Sequence, residues 1–210
     1  MAEDVCSTLQ SPIEAHGIIG DMRSAALVAD DGSVDFMCWP DFDSPTLFTA
    51  LLDCDRAGVF ELAPNLPNAR RQQIYLPDSN VLQTRWVDKD AVVEITDFMP
   101  IPAERYALPR LVRRVEVRNG SATIRLRCRV RHDYSRADTV AGMAGDDVRF
   151  EAPGQPTVRL SATQTLHVEQ HSAMAQFDLR EGESAEWRRL SISVATGPVA
   201  VMSMFPILWG

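Results

Sequence analysis

Short stretches of alternating apolar and polar residues dominate this chain, and they predict β-strands. The clearest example runs from Ala122 to Arg131, where apolar residues occupy every second position. A period of two places one set of side chains on the core face of a strand and the other toward solvent. The whole pattern predicts about ten strands against one helix. The predicted strands span residues 25–29, 34–39, 59–62, 81–87, 91–99, 111–117, 122–131, 148–151, 157–170, 175–179 and 190–194.

Turn-forming residues separate these stretches. Asp30, Asp31 and Gly32 suit a tight reversal with positive φ at the glycine, and Asn119-Gly120 is a strong hairpin signal. Further turns are predicted at residues 88–90, 153–156 and 180–184. Hairpins pair neighbouring strands antiparallel, and this many strands rarely stay in one open sheet. We therefore predict an all-β fold, a large antiparallel two-sheet β-sandwich with one or two short helices.

The predicted helix begins at Ser44 and Pro45. A serine hydroxyl caps free backbone amides, and the missing N–H of proline costs nothing at the first helical position. Phe48, Leu51 and Leu52 then fall on one face of a short helix. Two polar segments are predicted to be connections without regular structure, residues 68–73 and 142–145.

Length and charge narrow the classes of function. The chain has 210 residues, of which 45% are apolar, a formal net charge of −8 and a pI near 5.0. It is long enough to bury its own core, and its negative charge argues against partners such as nucleic acid or an anionic membrane surface. We divide it into a flexible N-terminus (1–10), a β-sandwich domain (11–197) and a last strand or start of a linker (198–210).

The cysteines and the first residues favour a cytoplasmic location. The chain has four widely spaced cysteines, which form no C-x-x-C pair and which we expect to be free thiols. The opening residues include acids and lack the apolar core of a signal peptide. The longest apolar tract, residues 199–209, reaches only about half of the ~20 residues that a membrane-spanning helix needs.

Two histidines four positions apart, His167 and His171, are the first candidates for a metal site. The surrounding period is two, and residues four apart on a strand are separated by about 13 Å, too far to share one ion. We therefore expect no metal here. Because the sequence also contains no nucleophile elbow, no phosphate-binding glycine loop and no Cys/His cluster, we expect no cofactor.

Paired carboxylates are the remaining candidates, because glycosidases place two carboxyl groups on either side of the scissile bond. Asp30 and Asp31 are explained as turn formers, whereas Glu94 and Asp97 point to opposite faces of one strand. One loop places two aspartates beside two aromatic residues, as on a sugar-facing rim. The candidate rim residues are Trp39, Asp41, Phe42 and Asp43. The alternative is that these aspartates shape the loop through Asx-turn hydrogen bonds.

Four arginines alternate with the apolar residues of one predicted strand. They are Arg125, Arg127, Arg129 and Arg131. Because the chain is acidic overall and carries acids nearby, we interpret them as a solvated strand face rather than a nucleic-acid patch. Their guanidinium groups are also suited to contact a partner domain.

Several of these stretches together resemble a known family. The segment GDMRSAALVADDGSVDFMCWPDFDSPTLFTALLD, residues 20–53, resembles the opening of bacterial and archaeal glycoside hydrolase family 15 proteins, which include glucoamylases, glucodextranases and trehalase-like enzymes. AVVEITDFMPIP (91–102), LVRRVEVRNGSATIRLRCRVRHDY (111–134) and the REGES turn (180–184) agree in order. The resemblance covers most of residues 11–196. It implies an N-terminal sandwich of two large sheets, joined by a linker to an (α/α)6 barrel.

The resemblance also implies an accessory domain without catalytic residues, because both catalytic glutamates of the family belong to the barrel. We expect a domain that supports the barrel and lends the 40–44 loop to the rim of an inverting active site for α-glucosides or α-glucans. Asp41 replaces a residue that is commonly basic in the family, and Trp39 one that is often smaller. The alternatives are a carbohydrate-binding module with Trp39 and Phe42 as stacking platforms, and a structural domain that forms homo-oligomers through residues 199–209.

Overall fold

The computed structural model describes residues 11–101 and 109–193, with side chains described as far as residue 186. Within these ranges the chain forms sixteen strands in two eight-stranded sheets. Neighbouring strands pair antiparallel in both sheets. The predicted all-β fold of two antiparallel sheets is therefore confirmed. The predicted N-terminal segment 1–10 and the final segment 198–210 lie outside the described residues.

Sheet 1 has the strand order β1-β2-β3-β5-β10-β15-β14, with β4 beside β3. Its strands are β1 (His16–Gly20), β2 (Ala25–Ala29), β3 (Ser33–Cys38), β4 (Thr46–Phe48), β5 (Val59–Pro64), β10 (Ser121–Arg129), β14 (His167–Glu169) and β15 (Ser172–Arg180). Two short helical turns accompany the strands, Ile13–Ala15 and His132–Ser135.

Sheet 2 has the order β11-β12-β13-β16-β9-β8-β7-β6. Its strands are β6 (Arg70–Tyr75), β7 (Leu82–Val87), β8 (Val92–Phe98), β9 (Leu111–Asn119), β11 (Val140–Ala144), β12 (Asp147–Glu151), β13 (Thr157–Ser161) and β16 (Ser184–Ser193). The inward side chains of the two sheets meet in one hydrophobic cluster.

The alternation in β10 is confirmed by burial. Ile124, Leu126 and Cys128 are buried in the core, whereas the arginines between them lie on the other face. Burial of apolar surface stabilises the fold by about 25 cal/mol for each Å² removed from water. The register of this strand is therefore fixed, because a shift by one residue would move every apolar side chain to the outer face.

Three predicted hairpins are confirmed by pairing of their strands: β2 with β3, β7 with β8, and β12 with β13. Gly32, in the first of these turns, has a φ of +87°. A Cβ at this position would lie 2.2 Å from the carbonyl oxygen of Leu62. Both the backbone conformation and the close approach of β5 therefore require glycine here.

The turn at Asn119-Gly120 does not form the predicted hairpin. The strands that it joins, β9 and β10, belong to different sheets, so the chain crosses the sandwich here. The 180–184 turn between β15 and β16 crosses beside it, and Glu181 N–H donates to the Gly120 carbonyl at 2.8 Å. A turn signal predicts that the chain reverses, but the sheet that the next strand joins is decided by tertiary packing.

The helix predicted from Ser44 is wrong. The segment forms β4, which pairs with β3, and it is followed by turns. The Ser44 hydroxyl accepts from the Asp41 N–H at 3.1 Å, and the Leu47 carbonyl accepts from the Arg131 N–H at 3.1 Å. A helix this short is marginal in water. Partners from neighbouring segments therefore outweigh its local cap.

Three other segments differ from the sequence predictions. Residues 68–73 and 142–145 were predicted as connections but contribute to β6 and β11, whereas the predicted strand 157–170 is divided into β13 and β14. The side chains of β6 are mostly exposed, so this edge strand carries no apolar alternation. Its backbone pairing with β7 holds it in place.

Cysteines in the described part of the chain occur both in a disulfide and as free thiols. Cys54 is disulfide-bonded, which contradicts the prediction of free thiols, whereas Cys38 and Cys128 are free. Burial raises the pKa of the Cys128 thiol, so this group stays protonated. Among the described residues, no helix has the length and apolar character needed to cross a membrane.

Candidate functional site

The candidate rim loop, residues 40–44, connects β3 to β4. Cys38 pairs with Thr46 at the ends of the two strands, and the Trp39 N–H donates to the Pro45 carbonyl at 3.3 Å. Strand pairing thus fixes both ends of the loop. The sequence prediction of a loop at this place is correct, although the segment that follows it is a strand.

The four candidate rim residues have different surroundings. Trp39 is only 2% exposed, and the peptide bond between Trp39 and Pro40 is cis. Its buried ring belongs to the core and offers no face to a sugar, so the expected stacking role of Trp39 is wrong. Phe42 is 61% exposed, and Asp43 beside it is also exposed. Phe42 therefore supplies the accessible ring of this loop.

Asp41 is held by Arg23, from the turn that joins β1 to β2. The Arg23 Nε donates to Asp41 Oδ1 at 3.0 Å, and the Phe42 N–H donates to the Arg23 carbonyl at 2.8 Å. The turn itself is fixed by the buried Asp21, which accepts from the N–H groups of Arg23 at 3.0 Å and Ser24 at 2.9 Å. These contacts order the loop before any ligand arrives.

A turn that the sequence predictions missed lies at the base of the same loop. Three successive residues of the His132–Ser135 turn, Asp133, Tyr134 and Ser135, have φ values of 51°, 53° and 64°. The Tyr134 N–H donates to the Thr46 hydroxyl at 3.1 Å. Burial raises the pKa of the Cys38 thiol, and the neighbouring Tyr134 side chain opposes this rise.

The missed turn lacks a sequence signal. Left-handed backbone is typical of glycine, and after it of asparagine and aspartate, but this segment reads His-Asp-Tyr-Ser without glycine. The buried His132 anchors it, with Nδ1 3.0 Å from the Thr139 hydroxyl and Nε2 3.0 Å from the Pro156 carbonyl. Burial lowers the pKa of His132, which keeps the ring neutral at pH 7.

Each other candidate carboxylate has a structural partner. Asp31 accepts from the N–H of Ser33 at 2.9 Å, as expected of a turn former. Glu94 accepts from Arg85 at 2.8 Å and Arg118 at 2.6 Å. Burial works to raise the pKa of Glu94, but these two hydrogen bonds outweigh it and hold the pKa below its usual value.

A buried pair joins β1 to β3. The Nε2 of His16 lies 2.8 Å from Oδ2 of Asp35, and its Nδ1 lies 2.9 Å from the Pro12 carbonyl. Burial alone would lower the pKa of His16, but the hydrogen bond and charge of Asp35 raise it above its ordinary value. Burial raises the pKa of Asp35, and the hydrogen bond from His16 opposes this rise.

Arg125, Arg127, Arg129 and Arg131 are called the arginine row here. The row follows β10 on the outer face of sheet 1, and its side chains are partly exposed. Arg127 forms a bidentate ion pair with Glu61 of β5, with both N–O distances at 2.6 Å. Arg129 donates to the carbonyls of Ala57 at 2.9 Å and Cys54 at 3.3 Å. Most of the row is thus bound within sheet 1 and its loops, as the solvated-face interpretation expects.

The two histidines considered for a metal site lie on different elements. His167 begins β14, whereas His171 lies in the following turn with a φ of 58°. In the ranges 11–101 and 109–193, no three His, Cys, Asp or Glu residues are grouped in a way that would hold a metal ion.

The amino-acid sequence is similar to those of known proteins. The family described as "Trehalase-like, N-terminal" matches residues 5–185. The chain is 29% identical to a trehalase of Mycolicibacterium smegmatis over 199 residues, which are 82% of this chain and 29% of that protein. It is 42% identical to trehalase 1 of Sulfolobus acidocaldarius over 85 residues, which are 40% of this chain and 15% of that protein.

A trehalase of Thermoplasma volcanium is 38% identical over 90 residues, which are 42% of this chain and 14% of that protein. The chain thus spans less than a third of the length of these relatives. Because the family match extends over most of the sandwich, its strands and the rim loop included, this chain belongs to the trehalase-like N-terminal domain family.

Proposed function

We propose that this chain is the non-catalytic N-terminal β-sandwich of a family 15-type glycoside hydrolase that hydrolyses an α-glucosidic bond, with trehalose as the first candidate substrate. Its partner is an (α/α)6 barrel that carries both catalytic acids. The relatives named trehalase support the substrate, and the chain's coverage of 29% of one of them leaves most of such a protein for another domain.

The observation that carries the proposal is that the buried carboxylates already accept hydrogen bonds within the sandwich. Among the described side chains the buried acids are Asp21, Asp35, Glu94 and Asp97. Each accepts hydrogen bonds from a basic side chain or from backbone amides. A glycosidase instead needs one carboxylic acid and one carboxylate that both face the sugar across a pocket. These four acids are used for structure.

The 40–44 loop is the part of this sandwich best suited to the rim of an active site. Phe42 exposes its ring, and Asp43 is exposed beside it. The ion pair of Asp41 with Arg23, 2.9 Å apart, connects the loop to the turn between β1 and β2. An aromatic ring on an ordered loop contributes contact area to a sugar at low entropic cost.

Glucose release tests the absence of catalysis. The purified 210-residue chain is incubated with trehalose, maltose and isomaltose, with the M. smegmatis trehalase as positive control on trehalose. We expect no glucose above the buffer blank. Turnover that survives further purification and is lost on substitution of a carboxylate in this chain would contradict the non-catalytic role.

The DNA sequence that follows the codon for Gly210 tests whether a barrel domain is the partner of this sandwich. We expect it to encode a long helical domain in the same reading frame. In the protein so encoded, Phe42→Ala should raise KM for trehalose while kcat and the melting temperature stay nearly unchanged. A stop codon directly after Gly210, with no helical hydrolase domain encoded nearby, would contradict the proposal.

A further inference from the structure

A cleft of about 650 Å³ lies beside the left-handed His132–Ser135 turn. This volume is within the range of small-molecule sites, which is roughly 300–1,000 Å³. Tyr134 and Ser135 of the turn line it together with Thr139 and His171, and charged residues complete its polar wall. These are Arg56, Arg129, Arg131, Asp53, Asp55 and Asp138.

The charges of this cleft are balanced. Three guanidinium groups and three carboxylates line it beside His171, so its arginines and aspartates together carry no excess of either sign to attract a strongly charged ligand. Both kinds of group are planar and form paired hydrogen bonds, with donors on arginine and acceptors on aspartate. Such a wall suits a neutral ligand with many hydroxyl groups, each of which both donates and accepts.

Some of this hydrogen-bonding capacity is unused. The Ser135 hydroxyl is buried and has no hydrogen-bond partner in the described part of the chain. Arg131 donates to the Val130 carbonyl at 3.2 Å and pairs with no carboxylate among the described side chains. A buried hydroxyl without a partner destabilises the fold, and a bound ligand that hydrogen-bonds to it would remove this cost.

Tyr134 adds an apolar surface to the cleft. Its side chain is 45% exposed, and the Arg136 guanidinium lies 5.6 Å from the ring centroid on one face. The backbone that presents it is strained, since left-handed conformations are unfavourable for residues other than glycine. Strain of this kind persists where the surroundings fix it, and it is frequent at ligand sites.

We propose that this cleft is a binding site for a neutral sugar of one or two hexose units. Tyr134 stacks against the C–H face of one unit, while Ser135 and Arg131 hydrogen-bond to its hydroxyls. The choice of trehalose as the probe rests on the proposed function, whereas the sugar class follows from the charge balance, the free hydroxyl and the ring. The hydrogen bond from Tyr134 to Thr46 places the site at the base of the 40–44 loop.

Calorimetric titration of the 210-residue chain with trehalose and with glucose tests the site, and sodium sulfate serves as an anionic probe. We expect a dissociation constant of about 1 mM for a sugar, which corresponds to about −4 kcal/mol. Tyr134→Ala should weaken binding at least tenfold, whereas Tyr134→Phe, which keeps the ring, should stay within about twofold. Met143→Ala, a substitution of an exposed residue of β11, is the matched control and should leave binding unchanged.

Ser135→Ala separates binding from folding. Because its hydroxyl has no partner in the described residues, its removal should not lower the melting temperature, but it should weaken sugar binding severalfold. This variant decides the outcome if Tyr134→Ala fails to fold.

Three results would overturn the site. They are no sugar binding at tens of millimolar, binding of sulfate in place of sugar, and sugar binding that is lost in Phe42→Ala but kept in both Tyr134→Ala and Ser135→Ala. The last result would place the sugar on the 40–44 loop and leave the proposed function intact. Glucose release by the isolated chain would contradict the proposed function while leaving this site in place.

Discussion

Arg113 of β9 and Asp97 of β8 form a fully buried ion pair, with Nε and Oδ1 2.8 Å apart and both side chains at 0% exposure. The same guanidinium donates to the carbonyls of Phe60 at 2.7 Å and Gly32 at 2.8 Å in sheet 1. It also lies 4.9 Å above the Phe60 ring centroid. Arg113 therefore connects the two sheets through the core.

Asp97→Asn should destabilise the protein by about 3–5 kcal/mol, because it leaves a buried guanidinium without its counter-charge. Denaturant unfolding followed by circular dichroism measures the loss. The control is Asp90→Asn, which removes the exposed ion pair of Asp90 with Lys89 and should have no measurable effect. Equal midpoints for the two variants would show that the buried pair does not stabilise the connection between the sheets.

Protonation of Glu94 should lower the free energy of unfolding at acid pH. Its pKa is lowered in the folded state, so its contribution is complete above the unfolded pKa of about 4.3 and is lost as pH falls through the folded pKa. The free energy of unfolding measured between pH 3 and pH 6 should fall less steeply with acid in Glu94→Gln than in the wild type. Parallel curves for the two proteins would contradict this role.

The contribution of His16 to stability should be lost as pH rises, whereas that of Glu94 is lost as pH falls. The pKa of His16 is raised, so its contribution is complete below the unfolded pKa of about 6.5 and is lost as pH rises through the folded pKa. Stability should decline above pH 6.5 in the wild type and stay level in His16→Gln. His132, whose pKa is lowered by burial, changes stability below pH 6.5 and does not interfere. A free energy of unfolding of the wild type that stays constant from pH 6.5 to 9 would refute this contribution of His16.

Substitution of Trp39 should lower the stability of the fold, whereas substitution of Phe42 should not. Trp39→Ala removes a buried ring and should cost about 3–5 kcal/mol, seen as a lower midpoint in denaturant. Phe42→Ala removes an exposed ring and should leave the midpoint within experimental error. If Phe42→Ala proves as destabilising as Trp39→Ala, the 40–44 loop is packed rather than accessible.

Local patterns predicted the strands where one face is buried. In β10 the alternation appears directly as buried Ile124 and Leu126 between partly exposed arginines. The same period in β9 places Arg113 at an inward position between Leu111 and Val115, which is a sequence signal for the buried ion pair. Edge strand β6 lacked such a signal, because its side chains are mostly exposed.

The candidate site was predicted only in part. Its loop and the exposed Phe42 follow from the sequence, since turn residues and a break after β3 are local properties. The burial of Trp39 and the left-handed backbone at Tyr134 depend on segments far apart in the chain, such as the contact of Tyr134 with Thr46. Residue types alone do not specify such contacts.

The sequence by itself determined the class of fold and the family, because alternation and turn residues act over a few positions and are legible without coordinates. Tertiary structure decided which sheet each strand joins, as the crossing at Gly120 shows. It also turned the start of the predicted helix into β4 and gave Tyr134 its place in the cleft. The physical reason is that backbone hydrogen bonds and burial are satisfied by partners distant in sequence, and these outweigh local propensities of a few tenths of a kcal/mol per residue.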